Sequence, residues 1–332
     1  MARYRVVKIG VGDAPPEVDQ ERERLGRLGA EVAAAAVRGP DALVEALRGA
    51  DVCLNYGGRF TAEVLARLDR SLWLIVHAGT GYDAVDVDAA TAHGVMVANL
   101  PFQCLHEVAN SAIAYVLTLN RKLVQADRHV RAGKWDRFSL QPIGTLYGET
   151  LGLLGFGNIA RATARKALAL DMNVIAYDPY VEAALAAELG VELLPLDEVL
   201  RRSDYVSSHL PHNPQTHHLL SEAQFRLMKP SAYFVNTSRG KVVDEPALVR
   251  ALQEGWIAGA GLDVFEVEPL PIDSPLRTME NVLLAPHLAG TSVASAVNNR
   301  RHAIEQVEEA LRDGKPSALV NRSVQPRRLA RA

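Results

Sequence analysis

Leu151-Gly152-Leu153-Leu154-Gly155-Phe156-Gly157-Asn158-Ile159-Ala160, running on to Val174-Ile175-Ala176-Tyr177-Asp178, decides how this chain folds. It reads as an apolar strand, a glycine turn, a helix start, a second strand and an acid at that strand's end. A dinucleotide site needs that order. Gly155 permits a tight turn, Gly157 lets the backbone approach a pyrophosphate, and Ala160 lets the new helix sit close to the strand. The N–H groups of the turn and helix start, at Phe156, Asn158 and Ile159, face the phosphates. Asp178 follows Gly157 by 21 residues. A carboxylate there binds ribose hydroxyls and repels a 2′-phosphate, so the expected cofactor is NAD (NADH in the reducing direction). A glycine turn alone is an ordinary strand-to-helix connection. The apolar strand before it and the acid after it make the difference.

On the N-terminal side, apolar runs alternate with amphipathic stretches. Strands are expected at Tyr4–Ile9, Glu31–Ala35, Val52–Leu54, Trp73–Val76 and Val95–Ala98, with helices near 17–28, 40–48, 61–68 and 86–93. Such alternation predicts a parallel sheet covered on both faces. The glycine corners Gly57-Gly58 and Gly79-Thr80-Gly81 follow strand ends, where open α/β sheets bind ligands. Asn99-Leu100-Pro101 interrupts the pattern. A helix from about Leu105 to Leu123 then carries few polar positions and is expected to be buried. Residues 124–149 read as an irregular arm bearing Trp135, Phe138 and Tyr147. Beyond the turn, strands are expected near 150–154, 173–177, 191–194, 204–208, 232–235, 257–262 and 282–284. An amphipathic helix follows from about Ser292 to Arg312.

Composition narrows the classes. The chain has 332 residues, 48% apolar, which suggests about two domains with substantial cores. A net charge of −3 exerts no global pull toward nucleic acid or membrane. The first apolar run, broken by Lys8, is too short for a signal segment or a membrane span. Arg327, Arg328 and Arg331 read as a solvated tail, with the last ten or so residues fraying. Cys53 and Cys104 match no metal or redox spacing. They read as buried thiols in a reducing cytosol, so a cytoplasmic protein without a metal is expected.

Three later segments each set an ionisable residue at a strand end. Val235-Asn236-Thr237-Ser238-Arg239-Gly240 presents a guanidinium, whose planar fork suits a carboxylate. Gly261-Leu262-Asp263-Val264-Phe265-Glu266-Val267-Glu268-Pro269 presents Asp263 and Glu268, and Leu284-Ala285-Pro286-His287 presents an imidazole. In isolation each has a plainer reading, as a surface arginine, a solvated carboxylate or a structural histidine. Together they meet the needs of 2-hydroxy acid oxidation. Arg239 anchors the acid and polarises its carbonyl, His287 moves the proton, and Glu268 steadies imidazolium and orients the ring.

With these motifs the chain resembles the D-isomer-specific 2-hydroxyacid dehydrogenases over almost its whole length. The resemblance rests on Gly79-Thr80-Gly81-Tyr82-Asp83, Val108-Ala109, the dinucleotide turn, His209-Leu210-Pro211 with Thr216, Asn236 to Gly240, Asp263-Val264-Phe265 with Glu268-Pro269, and Pro286-His287. It is nearest the phosphoglycerate dehydrogenase and C-terminal-binding-protein branches, as at Gly133-Lys134-Trp135-Asp136. It implies an NAD-dependent enzyme with catalytic Arg239, Glu268 and His287. It implies cofactor contacts at His209, Pro211, Thr216, Thr237, Ser238 and His287, and Asp263 on the nicotinamide carboxamide. The substrate carboxylate falls to Gly79, Thr80 and Gly81. Asn55 stands where phosphoglycerate dehydrogenases place an arginine for a phosphate, which weakens that substrate and leaves Arg59 nearby.

The implied fold is α/β, with two doubly wound parallel-sheet domains. A flavodoxin-like substrate domain takes 1–100 plus 291–332. A Rossmann NAD-binding domain is inserted at 101–290, its 105–149 helix and arm making a homodimer. Two other functions stay open: a dehydrogenase of another small anion such as a phosphonate- or phosphite-like acid, and a non-catalytic, NAD(H)-sensing corepressor-like protein. The expected partner is a small 2-hydroxy or 2-keto acid, with no nucleic acid and no membrane.

Overall fold

The computed structural model describes residues 3–327. Arg328, Arg331 and half of the segment expected to fray lie outside them. Contacts divide the chain into two compact units. One runs to Cys104 and resumes at Ser292; the other is Leu105–Thr291.

The first unit is built on five parallel strands: β1 (Tyr4–Val11), β2 (Ala30–Val37), β3 (Val52–Tyr56), β4 (Leu74–His77) and β5 (Met96–Ala98). Their order is β2-β1-β3-β4-β5, the flavodoxin-like arrangement. Both faces of the sheet are covered, so the strands are apolar almost throughout. Val6, Leu54, Leu74 and Val76 pack under the helix Val293–Asp313 through Ala303, Ile304, Val307 and Ala310. On the other face Val7, Ile9, Ile75 and Val97 meet Leu43, Val64 and Leu65 from the helices Gly39–Ala46 and Ala62–Arg67. Lys8, which interrupts the first apolar run, is buried but paired. Its Nζ lies 2.7 Å from Glu21 Oε1, and Arg300 donates to both oxygens of the same carboxylate. Pairing of this kind is what a buried charge requires.

The second unit carries seven parallel strands: β6 (Thr150–Leu154), β7 (Asn173–Tyr177), β8 (Glu192–Leu193), β9 (Tyr205–Ser208), β10 (Tyr233–Asn236), β11 (Gly259–Leu262) and β12 (Val282–Leu284). The order is β12-β11-β10-β9-β6-β7-β8. Strand order reverses between β6 and β9, the switch point at which open α/β sheets hold ligands. Alternate residues serve the two faces. Leu151, Leu153, Val174 and Val235 join one core, while Leu154, Ile175, Val206 and Phe234 join the other. The helix Leu105–Asn120 lays Ile113, Val116 and Leu119 against Ala160, Ala164 and Ala167 of the helix Asn158–Leu168, whose small side chains admit it closely.

Two expectations for this stretch need correction. The helix begun at Leu105 ends at Asn120 rather than near Leu123, because Lys122 takes a left-handed φ of +49°. The arm from 124 is not irregular from its start, since Leu123–Arg131 forms a second helix.

Candidate active site

Because all seven strands of the second unit run parallel, their carboxyl ends line one edge. Along the strand order β12, β11, β10, β9, β6, β7, the residues after the strand ends include His287, Asp263, Arg239, His209, Gly155 and Asp178. Segments far apart in sequence thus meet in two groups, one on each side of the switch point.

The first group is an acid–base pair with a guanidinium next to it in strand order. His287 Nδ1 lies 2.7 Å from Glu268 Oε2. An ionised carboxylate only accepts, so Nδ1 carries a proton and Nε2 is left to exchange one. Glu268 is fixed from its other oxygen, which accepts the Phe265 N–H at 3.0 Å. Both side chains are partly exposed, so a ligand can reach them. His287 itself has φ +52°, a left-handed backbone held by its surroundings. Its N–H donates to Asp263 O, while the next two N–H groups, of Leu288 and Ala289, donate to Asp263 Oδ1 and Oδ2, each at 2.9 Å. Asp263 is 1% exposed, and both its oxygens face the His287 segment.

Arg239 follows β10 in a turn that Asn236 holds. Asn236 Oδ1 accepts from the Ser238 N–H and hydroxyl, and its Nδ2 donates to Arg239 O. Arg239 Nη1 donates to Ser238 O at 2.7 Å. The sequence reading missed Asn236 as a positioning residue. The signal was an Asn two residues before the turn, where its side chain bonds the backbone two residues on. Gly240 is needed for a different reason. A Cβ there would lie 1.9 Å from the backbone carbon of Phe265, so the Arg239 turn and the loop leading to Glu268 touch only because residue 240 has no side chain. Gly240→Ala is expected to destabilise the fold by about 1–3 kcal/mol and to lower kcat. Thermal melting and steady-state kinetics check both; an unchanged Tm and kcat overturn the argument.

The second group forms the dinucleotide cradle. Gly155 has φ +86°, and a Cβ would press on the His209 carbonyl at 3.2 Å. Gly157 precedes the helix Asn158–Leu168, offers no side-chain cap, and has open space where a Cβ would stand. The first-turn N–H groups, including those of Asn158 and Ile159, therefore point at a gap with no intrahelical partner. Phe156 contributes only backbone, since its ring is core; its N–H is already donated to Asp178 Oδ2 at 2.8 Å. Asp178 Oδ1 accepts the Tyr180 N–H. Thr237 Oγ1 is buried and makes no hydrogen bond among the described residues, an orphan donor at the same edge. Open space, an uncapped helix and an unpartnered hydroxyl fit a dinucleotide. The remaining expected contacts divide. Burial pushes the His209 imidazole down to about 4, so it is neutral, and its Nε2 lies 3.1 Å from Ser207 Oγ. Ser238 Oγ bonds Ser208 and Asn236. Thr216 is turned into its own loop, donating to Pro211 O and accepting from Asn213 N–H. Pro211 remains exposed.

In the first unit, the backbone N–H groups of Thr80 and Gly81 donate to no protein atom among the described residues. The loop is held instead by Asn99 Nδ2 on Thr80 O, and by Thr80 Oγ1 on Leu100 O. Gly79 O accepts the Leu100 N–H. Asn55 lies near the carboxyl end of β3. It is fully buried, its Oδ1 accepts the N–H of Gly57 and Gly58, and its Nδ2 faces Gly58 O and His77. It shapes the glycine corner. Burial also pushes the Cys53 thiol up, out of reactive range.

Comparison with known proteins agrees with this geometry. Residues 113–289 match the family model described as D-isomer specific 2-hydroxyacid dehydrogenase, NAD binding domain. The chain is 44% identical to a glyoxylate reductase of Korarchaeum cryptofilum, over 76% of this chain and 77% of that one. It is 41% identical to the D-3-phosphoglycerate dehydrogenase of Mycobacterium tuberculosis, over 91% of this chain but 58% of that longer one. The holo form of Rhodotorula graminis D-mandelate dehydrogenase superposes with a TM-score of 0.86 at 29% identity, covering 98% of this chain and all of the other. The fold and the edge define an NAD-binding oxidoreductase of hydroxy acids. The chain belongs to the D-isomer-specific 2-hydroxyacid dehydrogenases.

Proposed function

We propose that this protein reduces a small 2-keto acid to the D-2-hydroxy acid with NADH, and runs the reverse oxidation with NAD. The observation that carries the reading is the 2.7 Å contact of His287 Nδ1 with Glu268, one strand position beyond Asp263 and two beyond Arg239 on the same edge. The Arg239 fork binds the acid's carboxylate and draws electron density from the adjacent carbonyl. His287, as imidazolium, gives the Nε2 proton to the carbonyl oxygen, and Glu268 balances the charge and holds the ring's angle. Asp263 keeps the left-handed His287 segment in place through the two N–H groups after it. The nicotinamide, when bound, supplies or accepts the hydride. Gly155, Gly157, the helix start and Thr237 hold its dinucleotide.

The substrate we favour is unphosphorylated and small, of the glyoxylate or hydroxypyruvate kind. Relatives named glyoxylate reductase support this, and so does Asn55, which is uncharged and sealed in where a phosphate would need a cation. NADH oxidation measured with glyoxylate, hydroxypyruvate, pyruvate and phosphohydroxypyruvate tests the reading. Turnover greatest with one of the first two supports it. No turnover with any of them, alongside tight NADH binding, replaces it with an NAD(H) sensor.

Cofactor choice follows from Asp178. NAD is expected to exceed NADP in kcat/KM, and Asp178→Ala to narrow the ratio by removing the repulsion of a 2′-phosphate. The ratio is the readout because Asp178 also braces the Phe156 and Tyr180 N–H groups, so absolute affinity for both cofactors falls. Equal kcat/KM in the unaltered protein overturns the assignment.

We also propose a homodimer built on residues 105–149. Trp135, Phe138 and Tyr147 are 92%, 65% and 75% exposed there, apolar area that a second copy would cover. Light scattering is expected to give about twice the 36.0 kDa chain mass; a monomer refutes it. Both cysteines are free buried thiols, in keeping with the cytoplasmic location we propose. No helix among the described residues is long and apolar enough to cross a membrane.

A further inference from the structure

The first unit holds a polar cavity at the other end of β4 from the Gly79-Thr80-Gly81 loop. Arg70 precedes β4 and His93-Gly94 precede β5, so this is the amino edge of the sheet, where the proposed chemistry makes no demand. The cavity measures about 650 Å³ and is lined by Arg70, His93, Gly94, Ser323, Gln325 and Arg327, with Thr91 and Ala92 behind them. No acid lines it.

The tail that closes the cavity is fastened in place rather than loosely solvated, contrary to the sequence expectation for Arg327. The Val320 N–H donates to Val97 O. Asn321 Oδ1 accepts the Val97 N–H, and its Nδ2 reaches Thr91 Oγ1 and Val95 O. The Arg327 N–H donates to Gly94 O at 2.9 Å. Gly94 has φ +68°, and a Cβ there would lie 2.7 Å from Arg327 Cγ, so the arginine stem lies directly over the glycine. Neither Arg70 nor Arg327 makes an ion pair among the described residues. Two guanidiniums therefore line one cavity with no counter-charge among the described residues. Burial first and the Arg70 charge second hold the Arg327 guanidinium below its usual range.

Like charges lining one cavity repel each other unless an anion joins them. The other polar groups available on the wall are the His93 ring, the Ser323 hydroxyl and the Gln325 amide, all able to donate. Two planar forks set against such a wall match the oxygens of a phosphate group. The volume is that of a small-molecule site rather than a single-ion notch. The geometry points to a binding site for a small phosphate-bearing metabolite, bridging Arg70 and Arg327 and fastening the 320–327 tail to the corner before β5. This site is separate from the keto-acid site and does not depend on the reading given for it.

The test is calorimetric titration of the full chain, saturated with NADH so that the dinucleotide cradle is filled, with inorganic pyrophosphate at physiological ionic strength. Saturable one-to-one binding and a raised Tm are expected. The double variant Arg70→Ala, Arg327→Ala should bind at least about tenfold more weakly, since each lost charge-assisted contact is worth about that much. NADH affinity and keto-acid turnover should remain. If the alanine pair compromises folding, Arg70→Lys with Arg327→Lys keeps the charge and the stems but not the forks, and should also weaken binding. Wild-type affinity in both double variants overturns the site. So does the lack of saturable heat at millimolar pyrophosphate. Equal binding of sulfate and pyrophosphate means an adventitious ion only, and overturns it as well.

Discussion

Replacing His287 by Asn is expected to lower kcat for keto-acid reduction by about 10²–10⁴-fold while NADH affinity stays near that of the unaltered protein. Asn is the informative choice. His287 sits at φ +52°, a conformation that Asn tolerates and Ala does not, at a difference of about 1–2 kcal/mol for most side chains. An alanine variant would mix that backbone cost with the loss of the imidazole. With Asn the Asp263 carboxylate keeps its two N–H partners at Leu288 and Ala289, so the segment should hold its course. What disappears is the group whose Nδ1 faces Glu268 at 2.7 Å and whose Nε2 exchanges the proton. Cofactor binding should survive, because the glycine turn, the helix start and Asp178 lie on the far side of the switch point. Fluorescence titration of NADH and steady-state kinetics read the two halves separately. Undiminished kcat removes His287 from proton transfer. A parallel collapse of NADH affinity means that the residue holds the fold of the edge rather than doing chemistry.

Much of this edge was legible in the chain because it is written in local patterns. Strand 151–154, the glycine turn and Asp178 are contiguous signals, and a parallel sheet carries every strand's carboxyl end to the same side. Arg239, Glu268 and His287 could therefore be grouped from their positions after apolar runs. What escaped the sequence was side-chain direction. Asp263, Asn55 and Thr216 each turn polar atoms onto neighbouring backbone: Leu288 and Ala289, Gly57 and Gly58, Pro211 and Asn213. A short polar side chain beside a turn has backbone donors within reach, and hydrogen-bonding them satisfies groups that would otherwise be buried unpaired. Periodicity carries no record of that choice. The break after Asn120 escaped for a similar reason. Lys122 is a good helix former with no turn signature, and its left-handed φ reflects where the next helix must go. Arg327 looked like part of a solvated tail because its partner, Gly94, is more than two hundred residues away in the chain.

The second large effect is expected at Arg239. Arg239→Lys keeps one positive charge and most of the stem, yet kcat/KM for keto-acid reduction should fall by about a hundredfold, as expected when one charge-assisted hydrogen bond worth about 2–3 kcal/mol is lost. The reason is geometric. Asn236 clamps the turn through the Ser238 N–H and Arg239 O, and Arg239 Nη1 is tied to Ser238 O at 2.7 Å, so the plane of the guanidinium is set before a substrate arrives. A planar fork with a fixed plane can meet both oxygens of a carboxylate together. An ammonium has no plane to fix and meets them as a point charge. How the loss divides between KM and kcat then says what the fork does. If Arg239 only anchors the acid, its contact is equally strong in the ground and transition states, and KM rises while kcat stays. If it also draws on the carbonyl that receives the His287 proton, the contact strengthens as charge develops on that oxygen, and kcat falls as well. The second outcome is expected, because a carboxylate and the carbonyl beside it in a 2-keto acid lie close enough for one fork to serve both. Wild-type values of both constants remove Arg239 from the site.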